Sequence, residues 1–120
     1  MVNSHVVKIA AWLEIVVGVI FITAPNVLCL LVFDAKPEGV GRLLARWVGV
    51  VLLGLGIACL PSRTGEAHRT AVLGLFVFNL GLAILLAWVG AVSAVHGLAL
   101  WPVVILHSVI AVALLPLLAN

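Results

Sequence analysis

Four apolar runs of about 20 residues, separated by stretches rich in proline, glycine or charge, dominate this chain. A helix needs about 20 such residues to cross the hydrocarbon of a bilayer, so the pattern predicts spans over residues 6–24, 42–60, 70–92 and 101–118. The runs are too long and too uniformly apolar for barrel strands of about ten alternating residues. Composition closes off the other classes: with 66% hydrophobic and 8% charged residues among 120, the chain cannot clothe a water-soluble domain. The same shortage of charge excludes a disordered tail and a nucleic-acid binder. The expected fold is therefore all-α, an up-and-down four-span transmembrane bundle forming one domain over residues 1–120.

After the first span the apolar character resumes over residues 25–33, opening with Pro25-Asn26. Pro25 either kinks one long helix or starts a short one. Its fit to a first helical turn favours a short interfacial helix. Residues 34–39, with Pro37 and Gly39 among three charged side chains, form the first connection, and Pro61 ends the second span. Residues 62–69 and 93–97 make the remaining connections, and Pro102 and Pro116 sit near the two ends of the last span. A cleaved signal peptide is the rival account of the first run. Sparse positive charge ahead of it, Glu14 within it and no small-x-small cleavage site favour a retained span.

Lysine and arginine near the spans divide evenly, Lys8, Arg63 and Arg69 against Lys36, Arg42 and Arg46. The amino terminus and His68 tilt the balance towards both termini in the cytoplasm of a bacterial-type inner membrane, where the chain is expected to be multi-pass. Trp47, Trp88 and Trp101 fall on the side of the first and third connections, as an aromatic belt would. Cys29 and Cys59 belong to opposite ends of the bundle, roughly 30 Å apart, beyond the ~7 Å reach of a disulfide. Small residues at four-residue spacing are expected to let helices approach in lipid. They occur as Ala45-x3-Gly49, Gly54-x3-Ala58 and Ala83-x3-Ala87-x3-Ala91, and as Ala10, Ala11 and Gly18 on the face of Glu14.

Polar residues at depth are expensive and mark functional candidates. Glu14, Asn79 and His107 each lie within about one helical turn of the middle of a span. Antiparallel threading would bring them level. A charged carboxylate there costs at least ~2.5 kcal/mol, so His107 is its expected partner, with Asn79 able to donate to one and accept from the other. The three are candidates for a ligand-binding or proton-binding centre; the competing account is a hydrogen-bonded clasp that only sets helix register. Arg42 and Arg46, one turn apart at the mouth of the second span, are headgroup or anion candidates, with Asp34 or Glu38 as a resting partner. Ser108 and Thr23 are expected to bond back to their own helices. His5 and His68 open parallel spans on one side, where solvated histidines are expected rather than a metal site. The absence of CxxC, HExxH and phosphate-loop motifs points to no cofactor.

Glu14 in the first of four short spans resembles the small multidrug resistance exporters, which implies proton exchange at that residue; the chain has no tyrosine and the likeness ends there. A broader likeness covers nearly the whole chain. Glu14 followed by Gly18 and Pro25, the run Gly41-Arg42-x3-Arg46-x2-Gly49-x4-Gly54-x-Gly56, and Leu100-Trp101-Pro102-x4-His107 resemble small four-helix bacterial membrane proteins, loosely DoxX-like. That likeness implies a fold and no activity. The leading expectation is an accessory or binding protein that contacts membrane lipid, holding a lipidic molecule or supporting a larger membrane complex or homo-oligomer. The alternatives are a proton-coupled transporter using Glu14 and, last, an enzyme pairing Glu14 with His107.

Overall fold

The computed structural model describes residues 4–62 and 66–119, which form five helices and, among the described residues, no strand. They are α1 (Ser4–Thr23), α2 (Pro25–Phe33), α3 (Val40–Cys59), α4 (Arg69–Val92) and α5 (Leu100–Ala119). The four longer ones are long and apolar enough to cross a membrane, and each expected span boundary falls within two residues of the observed helix. Arg63, counted above in the charge balance, lies outside the described residues.

Helix ends follow local chemistry. Pro25 lacks an N–H and occupies the first turn of α2, so the chain breaks at Ala24 rather than bending through one long helix. Leu60, forced towards extended backbone by Pro61, stops α3. Pro116 is tolerated in the last turn of α5, where the Arg69 guanidinium donates to the Leu118 carbonyl across the bundle at 3.2 Å.

The helices pack as two antiparallel pairs, α1 with α3 and α4 with α5, joined more sparsely to each other. Glycine makes the first pair possible. A Cβ on Gly18 would stand 2.8 Å from the Gly49 carbonyl, and one on Gly56 2.6 Å from the Ala11 carbonyl, so the backbones touch. Of the expected small-residue motifs, Ala45-x3-Gly49 lies on this seam, whereas Gly54 and Ala58 do not: both are exposed, and a Cβ on Gly54 would meet nothing. Helical phase explains the correction, since the seam is read at Ala45, Gly49, Leu52, Gly56 and Cys59, a spacing that carries Gly54 and Ala58 to the far side. Ala83 is buried and Ala87 partly so, but Ala91 is exposed.

The two ends of the bundle differ. Where α1 and α4 begin and α3 and α5 end, Val7, Ala10, Ala11, Cys59, Val72, Leu75, Ile110 and Leu114 close into one apolar core. At the other end the pairs part, and α2 lies across the gap. Its last turn is held by the α4–α5 loop, whose Gly97 and Ala99 N–H groups donate to the Val32 and Leu31 carbonyls at 2.9 and 2.7 Å. Outward faces are large and apolar, including Ile84, Trp88, Ile105, Val109 and Val112, and such faces suit contact with hydrocarbon better than with water.

Candidate functional site

Between the helix pairs, on the α2 side, lies a cavity of about 450 Å³. Its walls come from every element: Val17 and Phe21 of α1, Cys29 and Phe33 of α2, Leu44 and Val48 of α3, Leu82 and Leu85 of α4, and Val103 and Leu106 of α5. Along α3 it extends from Gly41 to Leu52, roughly 16 Å at ~1.5 Å per residue, or about half the hydrocarbon thickness of a bilayer. At its deep end stand Glu14 and His107; apart from the Cys29 thiol, the rest of the lining is hydrocarbon.

The three residues expected to meet at mid-depth are all buried, Glu14 at 1%, Asn79 at 0% and His107 at 7% exposure. Asn79 is the hub. Its Nδ2 donates to the Leu75 carbonyl one turn back at 2.8 Å, which leaves Oδ1 to accept. His107 Nδ1 lies 2.6 Å from that oxygen and must therefore carry the proton, leaving Nε2 to accept, or to donate as imidazolium. The Asn79 side chain also faces the Glu14 carboxyl, yet Glu14 Oε1 is buried without a hydrogen-bond partner among the described residues. The expected direct pairing of Glu14 with His107 is thus replaced by a chain through the amide.

Phe78 carries no mark in the sequence. Its ring meets His107 edge-on, 6.1 Å between centroids and 82° between planes, and helps fix the imidazole. No pattern distinguishes it from its apolar neighbours. Ser108 and Thr23 bond back to the Val104 and Val19 carbonyls, each at 2.8 Å, as expected. The two cysteines are free, Cys29 lining the cavity and Cys59 in the closed core with its thiol towards the Ala71 carbonyl.

Arg42 and Arg46 stay out of this cavity. They border a second, smaller recess of about 210 Å³ with Thr23, Ala24, Pro25 and Asn26, where the chain breaks between α1 and α2. The expected resting partners, Asp34 and Glu38, form no ion pair with them among the described residues. Among the described residues no group of three His, Cys, Asp or Glu side chains could hold a metal ion.

No protein-family model matches the sequence, and neither curated proteins nor solved structures yield a significant match.

Proposed function

We infer that the chain is a small multi-pass binding protein of a bacterial-type inner membrane, both termini cytoplasmic, whose half-membrane cavity holds a lipidic molecule with its polar group against Glu14 and His107. The observation that supports this most is the pairing of a deep apolar cavity with a buried, unpartnered carboxyl oxygen at its floor. Such an oxygen is costly to leave unsatisfied. A protonated carboxyl donates and an imidazole Nε2 accepts, so a carbonyl or hydroxyl headgroup on an apolar body suits the floor. The ligand stays bound within one half of the bundle, because the other half is filled by side chains.

The test is mass spectrometry of small molecules that copurify in mild detergent. One amphiphile, near one per chain, is expected with the wild type, and Val103→Phe, which extends into the cavity from α5, is expected to displace it without loss of folding. An identical lipid complement in the two proteins would defeat the reading.

The orphan Glu14 oxygen also favours a second reading, proton exchange coupled to movement of a small cationic or apolar solute. There Glu14→Gln is expected to abolish proton-linked uptake into reconstituted vesicles while the fold persists.

A further inference from the structure

We propose that the recess at the α1–α2 break is a second binding site, specific for a phosphodiester headgroup that also carries a hydroxyl donor. It is independent of the cavity. On α3, Gly41, Leu44 and Val48 face the cavity, whereas Arg42 and Arg46 stand about 100° around the helix, beyond the seam where Gly49 meets α1.

Three features of the recess ask for such a ligand. Arg42 and Arg46 sit one turn apart, exposed, with neither hydrogen bonds nor ion pairs to other described residues. Two free guanidiniums side by side match the oxygens of one phosphate. The first turn of α2 borders the same space; Pro25 carries no N–H and the Val27 N–H donates to the Ala24 carbonyl at 3.1 Å, so the Asn26 N–H is the one that Ala24, with no polar side chain, leaves uncapped. A helix start adds positive potential to that of the arginines. Third, the half-buried Asn26 lines the recess and its Oδ1 has no hydrogen-bond partner among the described residues, an acceptor that an anion alone leaves unmet.

Charge and hydrogen bonding together narrow the headgroup. A choline ammonium has no N–H or O–H to give Asn26. An ethanolamine ammonium has one but sets a third cation beside two arginines. A glycerol phosphate supplies the anion and neutral hydroxyls at once. Trp47 follows Arg46 in sequence and is exposed, as an interfacial tryptophan would be beside a headgroup.

The experiment is native mass spectrometry of the full chain from nanodiscs containing phosphatidylglycerol with phosphatidylcholine, or phosphatidylglycerol with phosphatidylmethanol, a phosphodiester without a hydroxyl. Phosphatidylglycerol is expected to be retained about tenfold over phosphatidylcholine and about threefold over phosphatidylmethanol. R42Q/R46Q is expected to erase the first preference, and Asn26→Leu the second alone. R42K/R46K, which keeps the charge and loses the fork, serves if the glutamine variant fails to fold, and is expected to weaken retention. Displacement of the lipid by glycerol 3-phosphate or inorganic phosphate would support the same contacts with a soluble phosphate as their natural source. Equal retention of the three lipids, or preferences unchanged in both arginine variants, would overturn the proposal.

Discussion

Asn79 decides more than either titratable candidate beside it. It anchors itself to Leu75, fixes the proton on His107 Nδ1 and approaches the Glu14 carboxyl. In lipid, where apolar burial does not drive helices together, such bonds between helices contribute about 0.6–1.7 kcal/mol each. Asn79→Leu removes the acceptor and strands a buried N–H, so unfolding in detergent is expected to become easier by about 1–3 kcal/mol. Glu14→Gln keeps the shape and a carbonyl acceptor, and is expected to change stability by less than half as much in the same assay. Equal losses would make the carboxyl part of the structural clasp rather than a group held ready for a ligand. The meeting of Glu14, Asn79 and His107 was legible in the sequence because depth in a membrane is counted along each helix from its ends. The order of bonding was not, because side-chain reach depends on helix rotation and spacing.

At the scale of elements, the sequence marks breaks better than contacts. Pro25 announces the start of α2 and Pro61 the end of α3, for reasons local to the backbone. Which glycines touch a neighbour depends on phase: Gly49 lies on the α1 seam and Gly54 faces outward, though both belong to plausible motifs. Gly49→Ala is therefore expected to destabilise by about 1–3 kcal/mol through overpacking, while Gly54→Ala is expected to be neutral or stabilising by up to about 1 kcal/mol, as helix propensity favours alanine. Thermal unfolding of the two variants in one detergent separates them. The hold of the α4–α5 loop on α2 had no legible signal, since backbone donors at Gly97 and Ala99 serve it. A Cβ on Gly97 would collide with the Leu31 carbonyl and the backbone of Val32. Gly97→Ala is expected to loosen α2 and speed maleimide labelling of Cys29, which lines the cavity, while Cys59 in the closed core stays slow. Unchanged labelling of Cys29 would mean that the loop does not hold the helix in place.

The whole molecule is a bundle filled at one end by a core from all four long helices, while the other end holds the cavity beside a smaller cluster of Leu86, Leu100 and Val104. Apolar content alone cannot reveal that asymmetry, because the residues that wall the cavity, face lipid and fill the core are the same leucines, valines and phenylalanines. The small-residue seam draws α1 onto α3 at both ends, so what separates the halves is how that pair meets α4 and α5: through a shared core at one end and across the cavity at the other. In hydrocarbon the transfer of a leucine from lipid to protein gains little, so a truncation costs mainly the dispersion attraction forfeited around the new void. Leu114 is fully buried in the closed core built by all four long helices, and Leu114→Ala is expected to cost about 2–3 kcal/mol, towards the low end of the range for cores in water. Leu82 already borders empty space, so Leu82→Ala merely enlarges the cavity and is expected to cost under about 1 kcal/mol. It is also expected to admit a bulkier amphiphile, detectable as a change in the copurifying species. If both leucines cost the same, the cavity end is as well packed in the membrane as the filled one, and the cavity is not a space held open for a ligand.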